Sequence, residues 1–179
     1  MKPLEEMSQA EVAAHVQTHL RSWGIEVVLS GGGSVAFHSQ DLYVSNDIDL
    51  VNARFVRRSR IRAAMEAIGF SQVGRHFEHP ATEQTIEFPP GPLSLGDAVV
   101  GTIILVEMET GTLQVISATD CIMDRLAHYF HWGDRQCLEQ ASLVALHNEV
   151  DLEEVHQRAR AEGMEDEFNE IENRLKKAS

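Results

Sequence analysis

A chain of 179 residues with 15 Lys and Arg against 28 Asp and Glu carries a formal charge of −13, and 43% of it is hydrophobic. That size holds one good core, or a core with a small helical appendage, and excludes two full domains. The ordinary apolar content excludes a disordered chain, and the acidic balance argues against general binding to nucleic acid or to an anionic membrane.

Read in chain order, Met1 to Gln9 is acidic and has no apolar signal core, so the expected compartment is the cytoplasm. Ser8 followed by Glu11 is a capping box, and Val12, Val16 and Leu20 recur behind it until Gly24, which predicts an amphipathic helix. Ile25 to Ser30 is a short β-branched run that ends in glycines, and Ile48 to Val51 is a second, with room between them for a short helix only. Arg57 to Ile68 predicts another helix, closed by Gly69; its Arg57–Arg62 patch reads as a solvated helix face rather than a contact for a polyanion.

Thr85 to Phe88 then reads as a strand, followed by the Pro-Pro-Gly-Pro break at 89–92. Ala98 to Glu109, a Thr-Gly-Thr turn and Leu113 to Ser117 predict a hairpin added to the sheet. The longest apolar run, Ala98 to Val106, is too short to cross a bilayer. From Ser117 the pattern turns helical: Ser117 with Asp120, then Asp134 to His147, then Asp151 with Glu154 up to Gly163, and a last segment from Glu165 to Lys176. The expected organisation is therefore an α/β (α+β) unit over residues 1–116 and a helical C-terminal part over 117–179, packed on it. Cys121 and Cys137 lack metal-ligand or CxxC spacing and read as reduced, packed thiols.

The segment Val27 to Val51 carries the chemistry. Gly31-x-Gly33-x-x-Ala36, with Asp47 or Asp49 beyond it, loosely fits a dinucleotide-binding turn, but that unit needs a complete helix before the next strand. A metal-and-phosphate site uses the same residues with fewer left over. Strand alternation points Asp47 and Asp49 the same way and Ile48 and Leu50 the other, and two converging carboxylates call for a hard cation such as Mg²⁺. Gly32 and Gly33 bring backbone N–H groups close to a phosphate, and a helix opening near Ser34 adds its positive end.

Gly32-Gly33-Ser34, followed thirteen residues on by Asp47-Ile48-Asp49-Leu50, resembles the signature of polymerase-β-type nucleotidyltransferases, and among them the small bacterial proteins that include AbiEii-type toxins. The resemblance covers residues 26 to 90 by motif and implies a mixed sheet flanked by helices. It implies that Asp47, Asp49 and a third acid, Glu87, are catalytic and hold Mg²⁺ or Mn²⁺ on an NTP, while Gly32, Gly33 and Ser34 bind its phosphates. In the helical part it implies phosphate contacts from Arg125 and Arg135, because no lysine lies between Lys2 and Lys176. The activity implied is two-metal transfer of a nucleotidyl group from the NTP to a hydroxyl of an acceptor: RNA, protein or a small molecule. The alternative is a fold retained in a weakly active or inactive binding protein, such as a toxin-antitoxin component. His76 with His79, and His128 with His131, have metal-compatible spacing but no completing ligands, and read as structural.

Overall fold

The structure, a computed structural model, describes residues 2–90, 94–95, 98–99 and 101–176. The capping box at Ser8 is formed, with the Ser8 side chain accepting from Glu11 N–H and Glu11 accepting from Ser8 N–H, and it opens helix α1 (Gln9–Ser22). Strand β1 (Val27–Ser30) runs directly into α2 (Gly31–His38), which begins three residues earlier than the sequence led us to expect. Strand β2 (Asp47–Asn52) and helix α3 (Arg58–Glu66) follow.

Next comes an antiparallel meander of β3 (Ser71–Val73), β4 (His76–His79) and β5 (Thr82–Glu87). The first two of these strands escape sequence reading because they are short and mostly polar. The long apolar run is divided: β6 (Ser94–Leu95) pairs with β7 (Ala98–Val99), while β8 (Ile103–Met108) forms the expected hairpin with β9 (Gly111–Ile116). Gly91 and Pro92 of the anticipated break, and Val100 of the apolar run, lie outside the described residues. Helices α4 (Ala118–Trp132), α5 (Arg135–His147), α6 (Leu152–Ala161) and α7 (Glu165–Leu175) complete the chain.

The main sheet has seven strands in the order β3-β4-β5-β2-β1-β9-β8. Strands β1 and β2 are antiparallel, whereas β2 pairs with β5 and β1 with β9 in parallel. A dinucleotide-binding unit places consecutive strands in parallel across a full crossover helix, so the antiparallel β1–β2 pair joined through the eight-residue α2 rules that reading out.

Period-2 alternation sorts the strand residues onto two apolar layers. Val27, Leu29, Ile48, Leu50 and Ile86 face α1 and α3, in a cluster with Leu20, Ile61 and Met65. Val28, Val51 and Ile116 face the other way, onto Val35 of α2 and onto Leu126, Leu138, Val155 and Phe168 of the four C-terminal helices. Those helices thus bury their apolar faces against the sheet itself. At roughly 25 cal/mol per Å² of apolar area this burial is the dominant stabilising term for both layers.

Candidate active site

Asp47 and Asp49 share the sheet face covered by α2 and α4, because Ile48 and Leu50 are taken by the opposite layer. The parallel register sets Asp47 beside Thr85 and Asp49 beside Glu87, so β5 delivers Glu87 to the same face. On the other side Ser30, the last residue of β1, is the partner of Asp49. The start of β2 is anchored from α1: Gln9 Nε2 donates to the Ser45 carbonyl at 2.5 Å and to Gln84 Oε1 at 3.1 Å. Thr85 Oγ1 donates to Asp47 Oδ1 at 2.5 Å, which turns that carboxylate toward β5.

Asp49 is the electrostatic centre. Burial, then Glu87, then Asp47 push its carboxyl up to about 6, against the opposing pull of Arg125. A carboxylate raised in this way lacks a compensating cation. Arg125 does not supply one, since its Nε and Nη2 both bind Asp124 Oδ2 and its Nη1 reaches Gln140 Oε1 at 3.4 Å.

The glycines act on this centre unequally. Gly31 has φ +57°, and a Cβ built there would overlap Asp49 Oδ2, so only glycine lets the β1–α2 turn close over the carboxylate. A Cβ on Gly32 would lie 2.8 Å from Ser45 Oγ, and one on Gly33 2.8 Å from Leu29 Cδ1. Gly33 therefore serves the packing of α2 on β1. The N-cap of α2, Ser30, forms no side-chain cap, which leaves the first N–H groups of the helix without a side-chain acceptor, close to Asp49.

Ser34 differs from the role expected of it. It is fully buried, and its hydroxyl donates to the Gly31 carbonyl at 2.8 Å, so it braces the turn from inside instead of presenting an oxygen to a phosphate. With that proton committed, the Cys121 thiol, 3.3 Å away, is the donor to Ser34 Oγ; burial holds the thiol at about 12 and therefore protonated. Arg135 is exposed in the first turn of α5, and its side chain bonds to none of the described residues. Its neighbour Asp134 caps α5 by accepting from Gln136 and Cys137 N–H. Both cysteines are free and buried.

The histidine pairs are parted by their own contacts. His76 Nε2 lies 2.8 Å from Glu78 Oε1, and His79 packs on Phe70; His128 approaches the Asp124 carbonyl, and His131 lies against Glu162.

Among the described residues no group of three or more His, Cys, Asp and Glu side chains is gathered as a ready metal cage. Mg²⁺ seldom requires one, since it takes one or two carboxylates together with substrate phosphates. The Asp49–Glu87 neighbours, all-oxygen donors with uncompensated charge, fit such an ion. Sequence reading missed Gly31, Thr85 and Asp124. The Gly-Gly-Gly run flagged the first, but the other two meet the acids only through strand register and helix docking.

No protein-family model matches the chain, and no curated protein matches its sequence. Solved structures do match. A nucleotidyltransferase-like antigenic protein from Paracoccidioides brasiliensis superposes with a TM-score of 0.61 at 15% identity, over 99% of this chain and 98% of that one. The antibiotic-resistance factor ANT(2″)-Ia in solution gives 0.54 at 14% identity, over 89% of this chain and 92% of its own. Its crystal structure with adenylyl-2″-tobramycin gives 0.56 at 14% identity, over 87% and 97%. The fold is that of the nucleotidyltransferases. No helix among the described residues is long and apolar enough to cross a membrane.

Proposed function

We propose that the protein transfers a nucleotidyl group from an NTP to a hydroxyl, with Mg²⁺ or Mn²⁺ held by Asp49 and Glu87 and by Asp47 once it turns from Thr85. The observation that carries this reading is the carboxyl of Asp49, pushed up to about 6 beside Glu87 and the side-chain-free start of α2. When bound, the metal supplies the positive charge that lets these carboxylates and a triphosphate occupy one cleft.

The chain's own groups account for the rest. The N–H groups at Gly31 to Gly33 bind the outer phosphates, aided by the positive end of α2. Asp124 holds the largely buried Arg125, whose charge acts on the site without neutralising Asp49. The bond from the acceptor oxygen to the α-phosphorus forms as the bond to pyrophosphate breaks, and Glu87 takes the hydroxyl proton. Arg135, exposed and with no side-chain bond to a described residue, is assigned here to the leaving group. Among RNA, protein and small-molecule acceptors, the last is favoured by the likeness to ANT(2″)-Ia, one structure of which holds adenylyl-2″-tobramycin.

A second reading, a nucleotide-binding protein of this fold with little chemistry, is favoured by one observation: Arg125 is already paired with Asp124, in a sequence with no lysine between Lys2 and Lys176. Measuring Mg²⁺-NTP binding by calorimetry and turnover by pyrophosphate release, on the same sample, separates the two. Binding with release supports transfer. Binding without release, across a panel of hydroxyl acceptors, supports the second reading, and absence of binding overturns both.

A further inference from the structure

The two edges of the main sheet are built differently. At one side β3 has three residues, Ser71 to Val73, of which two are polar. At the other β8 has six, Ile103 to Met108, with one acid, Glu107, and neither lysine nor proline. Its exposed side chains are apolar: Ile103 is 43% exposed, Ile104 37% and Leu105 64%. Edge strands usually carry charges, a proline or a bulge that keeps a further strand from adding, and β8 pairs with β9 over its whole length without a bulge.

The direction of its backbone groups follows from three bonds. The Thr102 carbonyl accepts from Ser117 N–H at 2.9 Å, and in an antiparallel ladder every second pair is bonded in this way. Ile104, Val106 and Met108 therefore turn their N–H and C=O groups to β9. The residues opposite Leu105 and Glu107 agree: Gln114 N–H donates to Gln17 Oε1 at 2.6 Å and Thr112 N–H to Thr18 Oγ1 at 3.1 Å, both away from β8. Ile103, Leu105 and Glu107 are left with N–H and C=O groups that point outward, and no described residue bonds to them.

This outward set is symmetric about Leu105. A second β8 laid antiparallel, with Leu105 opposite Leu105, places Ile103 across from Glu107 and Glu107 across from Ile103, and each of these pairs exchanges both N–H···O bonds. Ile104 then meets Val106 of the second copy on the face toward α1, and the two Leu105 side chains meet at the axis on the other face. No like charges are opposed. Glu107 stands across from an isoleucine, and Thr112 Oγ1 draws its carboxylate back over β9 by donating to it at 3.2 Å.

We propose that β8 is the dimerisation edge of this protein, joining two copies antiparallel about Leu105 into one continuous sheet. The occupant is a second copy because the strand is its own complement: one register satisfies every outward backbone group, matches apolar flanks and opposes no like charge. Assembly stops at two, since the edges that remain are the short, polar β3 strands. The contact is narrow, which puts it in the weak class below about 1,200 Å². β1 and β9 separate β8 from the carboxylate strand β2, so the inference stands apart from the transferase reading.

Sedimentation velocity of the full chain from about 5 to about 300 μM, a range suited to a weak interface, tests the proposal. A concentration-dependent shift to the mass of two chains is expected, and it should strengthen as salt rises, because each copy carries a formal charge of −13. Leu105→Pro removes the outward N–H at the axis and leaves the bonds to β9 in place, while Leu105→Lys sets two cations against each other. Each should weaken the dimer about tenfold or more; Leu146→Lys, at an exposed leucine of α5, should leave it unchanged. Leu105→Cys should form an intermolecular disulfide in air, since opposed Cα atoms of a bonded pair lie about 5.5 Å apart. Thermal melts confirm that each variant is folded, and if Leu105→Pro is not, Leu105→Lys and the disulfide decide. A chain that stays monomeric to about 300 μM overturns the proposal. So does a dimer that survives the Leu105 substitutions, or a Leu105→Cys dimer that forms no disulfide.

Discussion

The two ends of β2 present opposite electrostatic problems, at either end of one six-residue strand. At its start, Asp47 and Asp49 face α2 and Glu87, so negative charge accumulates under a cover of backbone N–H groups. At its end, Asn52 faces α3 and the chain leaves through Arg54, Phe55 and Arg57, so positive charge accumulates around an apolar wall. Neither end is neutralised by the other, because period-2 alternation sends 47 and 49 to one face and 52 to the opposite one. The comparison teaches that a single strand can carry opposite electrostatic environments at its two ends. The acid end favours a cation, while the other end already carries exposed arginines.

The largest expected effect falls at the acid end. Asp49→Asn should abolish Mg²⁺-dependent NTP turnover, and yet stabilise the metal-free protein by about 1–3 kcal/mol at pH 7.5, since each unit of raised pKa is worth about 1.4 kcal/mol. The sign follows from the folded carboxyl lying near 6, above its ordinary value of 3.8. The penalty is full above pH 6, shrinks as the pH falls, and vanishes below about pH 4, where both states are protonated. The melting temperature of wild type should thus approach that of the variant on acidification; a constant gap would break the contrast between a frustrated acidic end and a basic one.

Gly31→Ala comes next, because it combines a positive φ with overlap on Asp49 Oδ2. About 2–4 kcal/mol of destabilisation is expected, read as a lower denaturation midpoint. Gly74→Ala supplies the control: its φ is +61° and a Cβ there meets nothing, so only the backbone strain of about 1 kcal/mol should appear. Equal losses at both positions would mean that Asp49 does not sit under the turn.

At the other end the effects are smaller. Asn52→Leu removes an unsatisfied acceptor from a buried position and should leave stability unchanged or raise it by about 1 kcal/mol, visible in urea denaturation. Arg54→Ala with Arg57→Ala should shift stability by no more than about 0.5 kcal/mol, as neither side chain bonds to a described residue. A large loss in either variant would show that these groups stabilise the fold and would close the comparison between the two ends.

Much of the acid end was legible because its signals are local. Asp47 and Asp49 share a face by alternation alone, and the glycines announce a close approach, although the sequence pointed to Gly32 and Gly33 when Gly31 is the residue that meets the carboxylate. The phosphate role of Ser34 comes from the resemblance, through its place after Gly32-Gly33. Its position on the inner side of α2, against Cys121, depends on how α4 docks and has no local signature. At the basic end Arg57, Arg58, Arg60 and Arg62 are exposed, as a solvated helix face requires, but the cavity behind Phe55 has no local signature in the sequence.

By itself the sequence determined the capped helices, the alternation that divides each strand between two layers, and the pairing of acids along β2, since all of these arise from neighbours within a few residues. Only the tertiary structure decided that β5 runs parallel to β2 with Glu87 beside Asp49, that β1 and β2 are antiparallel, and that Arg54, Arg57 and Arg60 line one groove beside Phe55. Register, strand direction and cavity shape depend on groups brought together from distant parts of the chain. Local propensity acts along the backbone and carries no information about which distant surface will close against it.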